Sequence, residues 1–128
     1  MVGVMQLTFM QAIAQMEGFY VTGSRANRNN NPGNLNFAPW QSAFGAVLET
    51  IPAGIQETAR FAHFPMPAVG WVAMRTLLQN DYLGLTVAAA LNKWAPPSDG
   101  NDVSSYQAGV CEMTGMQPTD VLTAENIG

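Results

Sequence analysis

A mostly helical α+β fold is predicted by three features of this sequence. Four segments repeat apolar residues at helical spacing, most of them have a recognisable start and stop, and the pieces suited to strands are short and set among glycines and prolines. The expected arrangement is a helical body with one small irregular hairpin as a minor lobe, in a single domain over residues 1–128.

The first helix is read over Thr8–Glu17, where Phe9, Met10, Ile13 and Met16 form one stripe and Gln11 and Gln15 point away. Thr8 and Gln11 have the spacing of a capping box, and Gly18 supplies a left-handed stop. From Tyr20 to Asn36 there is no helical period, so this stretch is expected to be loop. At its centre, Asn31-Pro32-Gly33-Asn34 matches a type II turn with glycine at the positive dihedral. Leu35–Phe37 and Arg60–Phe64, separated by glycines and Pro52, suggest the hairpin with its long connection.

Pro67 opens a second helix striped by Trp71, Met74 and Leu78 and ending near Asn80. Thr86 caps a third, in which Val87, Leu91 and Trp94 face the core before Pro96-Pro97 stops it. Asp102 caps a fourth, with Tyr106, Val110 and Met113 on one face and Gly115 at its end. A last turn or short helix is expected over Thr119–Ala124.

Composition narrows the function classes. A chain of 128 residues, 48% hydrophobic, suffices for one core, and its apolar runs are too interrupted to span a bilayer. Residues 1–16 lack the basic flank and cleavage site of a signal peptide and read as folded helix. The single cysteine, Cys111, has no internal disulfide partner and is expected to be a buried thiol. A net charge of −4 with only five basic residues argues against nucleic-acid binding. Plentiful Asn, Gln, Ser and Thr suit a neutral, hydroxyl-rich ligand such as carbohydrate.

Glu17 is the chief candidate for chemistry. It lies four residues after Ile13 and seven after Met10, on the apolar side of the helix end. Desolvation and the negative end of the helix dipole are both expected to raise its pKa, as the proton donor to a leaving oxygen requires. The structural alternative is an ion pair with Arg25 or Arg28.

With these elements in order, the chain resembles the lysozyme-like superfamily, in particular phage- and prophage-type lytic transglycosylases and muramidases. The resemblance rests on Ala14-Gln15-Met16-Glu17-Gly18-Phe19, on Arg28-Asn29-Asn30-Asn31-Pro32-Gly33-Asn34-Leu35, on Arg60–Pro65 with Gly70, and on Lys93-Trp94-Ala95-Pro96-Pro97 leading to Tyr106. It implies a helical lobe and a small hairpin lobe with a cleft between them. It also implies a bacteriolytic enzyme that cleaves the β-1,4 bond between N-acetylmuramic acid and N-acetylglucosamine, with Glu17 as general acid. By the same resemblance the enzyme has no cofactor or metal, acts outside the cytoplasm on peptidoglycan strands, and is a monomer. The alternatives are a non-catalytic glycan-binding or virion structural module of the same fold and a chitin-cleaving relative.

Two-carboxylate glycosidases need a second acid, yet none lies between Glu17 and Glu49. Glu49, Glu57, Asp99 and Asp102 are the next candidates, each with a structural alternative: solvation for Glu49 and Glu57, a turn for Asp99, a helix cap for Asp102. A lytic transglycosylase needs no second acid, because one glutamate serves as acid and then as base. The scarcity of acids favours that route slightly.

Asn31 and Asn34 offer amides to an N-acetyl group or hydroxyl, or satisfy the backbone of their own turn. Tyr106 offers a buried phenol to Glu17 or to the sugar, or is core. Trp94 is placed in the core by periodicity, whereas Trp40 is free to stack on a sugar face. His63, the only histidine, reads as structural, with no metal-ligand spacing around it.

Overall fold

The computed structural model describes residues 6–128. It is mostly helical, with one two-stranded antiparallel sheet. The part of the expected N-terminal helix on residues 1–5 lies outside the described residues. The helices are α1 (Phe9–Met16), α2 (Arg25–Arg28), α3 (Pro67–Asp81), α4 (Val87–Trp94) and α5 (Val103–Thr114); the strands are β1 (Val47–Leu48) and β2 (Ala62–His63). Short 3-10 turns cover Pro39–Phe44 and Pro97–Asp99. Among the described residues, no helix is long and apolar enough to cross a membrane.

The chain forms two compact units. One comprises residues 1–16 and 75–128, the other Glu17–Met74, so α3 contributes to both.

In the helical unit, local caps set the helix ends. Thr8 and Gln11 exchange hydrogen bonds, Thr8 N–H to Gln11 Oε1 at 3.0 Å and Gln11 N–H to Thr8 Oγ1 at 3.1 Å, which is the expected capping box. Thr86 Oγ1 accepts from Ala89 N–H at 3.1 Å, and Asp102 Oδ1 accepts from Ser105 N–H at 3.1 Å. Gly115 ends α5 in the left-handed conformation at φ 75°. The core packs Phe9, Met10 and Ile13 of α1 with Leu78, Val87, Leu91, Val110, Leu122 and Ile127.

Gly109 lets α1 and α5 approach closely, since a Cβ there would lie 2.8 Å from Met16 Sδ. Three sequence expectations shift here. Met16 is 37% exposed and does not complete the α1 stripe, and Thr114 takes the buried place expected of Met113. Trp94 is half-buried, edge-to-face on Tyr82 at 5.5 Å. The segment after α5 forms turns and one bridge, Thr86 to Val121, in place of a helix.

In the other unit the core is Phe19, Ala26, Leu35, Phe61, Ala62, Phe64 and Met74, with Trp71 edge-to-face on Phe19 at 5.6 Å. The pairing of strands differs from expectation. β1 pairs with β2 in the register Val47 to His63 and Leu48 to Ala62, while Leu35–Phe37 makes only a bridge, Asn36 to Phe61. Val47 and Leu48 are exposed, so no buried alternation marked them as a strand. The expected loop also contains α2, started by Ser24, whose Oγ accepts from Asn27 N–H at 3.2 Å.

The Asn-rich turn exists, but its dihedrals are redistributed. Asn34 N–H donates to Asn31 O at 3.0 Å across Pro32-Gly33. The left-handed residues of this loop are Asn30 (φ 52°) and Asn34 (φ 51°), and Gly33 is not one of them, so the type II assignment is corrected. Asparagine tolerates that conformation better than other residues with a Cβ.

Candidate functional site

Glu17 follows the last residue of α1 and is half-buried. Gly18, at φ 77°, turns the chain as expected, and its carbonyl accepts from Val21 N–H at 3.0 Å and from Ser24 Oγ at 2.6 Å. Asn34 reaches Glu17 from the other end of the loop, with Nδ2 donating to Oε1 at 3.4 Å. The amide oxygen of Asn34 is buried and accepts no hydrogen bond among the described residues.

Arg25 and Arg28, the partners named for Glu17 in the structural alternative, are engaged by other acids. Arg25 binds Glu49 through Nη2–Oε2 at 2.7 Å and Nε–Oε1 at 3.1 Å, and Glu57 through Nη1–Oε2 at 2.7 Å. Arg28 Nη2 meets Glu57 Oε1 at 3.2 Å.

Glu49 is the most constrained acid described. It is buried, not solvated as its structural alternative supposed, and five donors converge on it. Besides Arg25, these are Asn29 Nδ2 at 3.0 Å, Arg60 N–H at 3.0 Å and Phe61 N–H at 2.8 Å. Burial alone would push its pKa up, but Arg25, the two backbone N–H groups and Asn29 outweigh it and hold the carboxyl at about 2. Asn29 itself was not singled out from the sequence. Its role depends on partners 20 and 34 residues away, Glu49 and His63, which no local pattern announces.

Asn31 is fully buried, and its side chain is committed to the backbone. Nδ2 donates to Leu35 O at 3.0 Å and Ala62 O at 2.9 Å, while Oδ1 accepts from Leu35 N–H at 2.8 Å. Of its two sequence readings, these contacts describe the one in which it satisfies the chain around it. Both amide hydrogens are thus used within the fold, and the side chain is fully buried.

Tyr106 is buried on α5, in the helical unit. Trp40 is 39% exposed and edge-to-face with Phe44 at 5.9 Å. Asp99 ends the 3-10 turn on the surface, and Asp102 is the N-cap of α5, its carboxyl held below the usual range by Ser105. Cys111 is half-buried, and burial followed by the charge of Asp120 pushes its thiol pKa up, away from nucleophilic use. Among the described residues, no three His, Cys, Asp or Glu side chains cluster as metal ligands.

Charge is divided unevenly. In the unit holding Glu17, Arg25, Arg28 and Arg60 balance Glu17, Glu49 and Glu57, so its formal charge is zero. The helical unit sets Arg75 and Lys93 against six acids and carries the whole −4. No protein-family model and no curated protein matches this chain.

Proposed function

We propose that the protein is a peptidoglycan-cleaving glycosidase of the lysozyme-like kind, with Glu17 as general acid, working as a lytic transglycosylase outside the cytoplasm. The observation that carries the reading is the pairing of Glu17, at a helix end, with the Asn34 amide. Holding Asn34 left-handed with its amide oxygen unsatisfied costs free energy, on the order of 1–3 kcal/mol for the buried acceptor. A fold carries such a cost at sites where geometry serves function.

The states of Glu49, Glu57 and Asp102 support transglycosylation over hydrolysis. Glu49 is enclosed by five donors, Glu57 is paired with two arginines, and Asp102 is occupied as a cap. None of these is poised to serve as a nucleophile or to activate water. In the proposed reaction Glu17 gives its proton to the leaving glycosidic oxygen as the C1–O bond breaks. It then takes the proton of the 6-hydroxyl of the same sugar as O6 bonds to C1, closing an anhydro ring. Glu17 ends protonated, and no water is consumed.

The Glu17-bearing unit has no net charge, so its binding to a cell wall rests on short-range contacts and not on long-range attraction. Mass analysis of products from purified peptidoglycan tests the reading. Anhydro ends are expected; reducing ends would replace transglycosylation by hydrolysis, and no cleavage would overturn the enzyme.

A further inference from the structure

His63 sits on β2, in register with Val47, and its half-buried ring points one nitrogen at Asn29, with Nδ1 3.4 Å from Oδ1. The orientation of the Asn29 amide is fixed from its other side. Glu49 is a carboxylate and can only accept, so Asn29 must turn its NH2 group toward it, at 3.0 Å, and its oxygen toward the ring. An amide oxygen is also only an acceptor, so the proton of the neutral imidazole must be on Nδ1. This is the tautomer less favoured by free histidine in water. Nε2 is left with a lone pair, and no described residue hydrogen-bonds to it.

The chain Glu49–Asn29–His63 therefore converts a buried charge into a directed acceptor on the hairpin. We propose that His63 is a ligand-binding residue whose Nε2 accepts a hydrogen bond from a hydroxyl or amide N–H of the glycan. This rests on the glycosidase reading and adds a contact to it. The ligand class follows from the chemistry: an uncharged acceptor selects a neutral donor, of which an N-acetylated sugar carries several.

Two measurements on the full chain test this. The first is the nitrogen-15 spectrum of the labelled histidine ring in alkaline solution, where the ring is neutral. The Nδ1–H pattern is expected in wild type, with a shift toward Nε2–H in Asn29→Ala; an Nε2–H pattern in wild type overturns the proposal. The second is binding of the tetramer of N-acetylglucosamine to wild type, His63→Phe and His63→Gln. Loss of one neutral hydrogen bond should weaken binding about fivefold to tenfold in His63→Phe. His63→Gln, which restores an acceptor, should recover most of it, a recovery that a purely structural role would not produce.

Unchanged binding in His63→Phe, by a wild type that lyses cell walls, overturns the role of His63 alone. Equal weakening in both variants does the same. A wild type that neither binds the tetramer nor cleaves peptidoglycan overturns the glycosidase reading and this contact with it.

Discussion

Arg25 grips Glu49 as a fork on a carboxylate, Nη2 to Oε2 at 2.7 Å and Nε to Oε1 at 3.1 Å, with the Glu49 side chain wholly shielded from solvent. This pair joins α2 to the segment leading out of β1, and its carboxylate also terminates the backbone N–H groups of Arg60 and Phe61. It makes Glu49 a stability residue, and the consequences are measurable.

Glu49→Gln leaves Glu57 as the remaining counter-charge of Arg25 and turns an amide NH2 group toward donors that now converge on the carboxylate, which should destabilise the protein by roughly 1–3 kcal/mol. Denaturant titration reads that loss directly. Below the melting transition the variant should keep most of its specific activity. A collapse of activity in a fully folded variant, with reducing ends from wild type, would identify Glu49 as a second catalytic acid.

The same carboxyl gives the fold an acid limb. Its pKa is lowered on folding from 4.5 to about 2, so the stability it supplies is complete above the unfolded value and is lost as pH falls through the folded one. Thermal melts taken between those values should fall by an amount corresponding to on the order of 3 kcal/mol. Glu49→Gln should flatten that part of the profile while lowering its plateau.

Glu17→Gln should abolish cell-wall lysis with the fold intact, because it removes the proton donor at constant volume. Lysis near the wild-type rate by the purified variant would end the assignment. Asn34→Gly is the matching test of its partner. Glycine adopts the left-handed conformation freely, so stability should hold. The Asn34 hydrogen bond gains strength as Glu17 gives up its proton and becomes a carboxylate, and losing it, about 1.5–3 kcal/mol where fully formed, should cut activity by about tenfold or more.

Glu57→Gln, Asp99→Asn and Asp102→Asn should each leave most activity, and asparagine at position 102 still caps α5. Anhydro ends from all three variants would fit a single-acid mechanism. Reducing ends, with a loss of roughly a hundredfold in one of them, would identify the partner acid of a hydrolase.

Gly70→Ala should destabilise the unit that contains the Asn-rich loop, by roughly 1–3 kcal/mol or more. A Cβ at Gly70 would overlap the Asn30 carbonyl oxygen and lie 2.8 Å from Pro32 Cδ, and a backbone oxygen cannot step aside as a side chain can. An unchanged melting temperature would show that the loop can retreat from α3.

The sequence alone determined the features whose causes lie within about four residues. Thr8 with Gln11, Thr86 with Ala89 and Asp102 with Ser105 place helix starts, and Gly18 and Gly115 place the stops, because caps and left-handed glycines act on the nearest backbone groups. Those signals, with the apolar stripes, were enough for α1, α3, α4 and α5. Ser24 with Asn27 is a signal of the same kind, and would have located α2. Tertiary structure decided the rest. Whether Glu49 is solvated or buried, whether Asn31 meets a ligand or the backbone, and which nitrogen of His63 carries its proton all depend on groups 4 to 34 residues away. Which residue of the Asn-rich turn becomes left-handed was also outside the reach of local pattern, since Asn34 and Gly33 both permit it. Short-range hydrogen bonds are written into neighbouring residues, whereas the partners of a buried polar group exist only once the chain has folded.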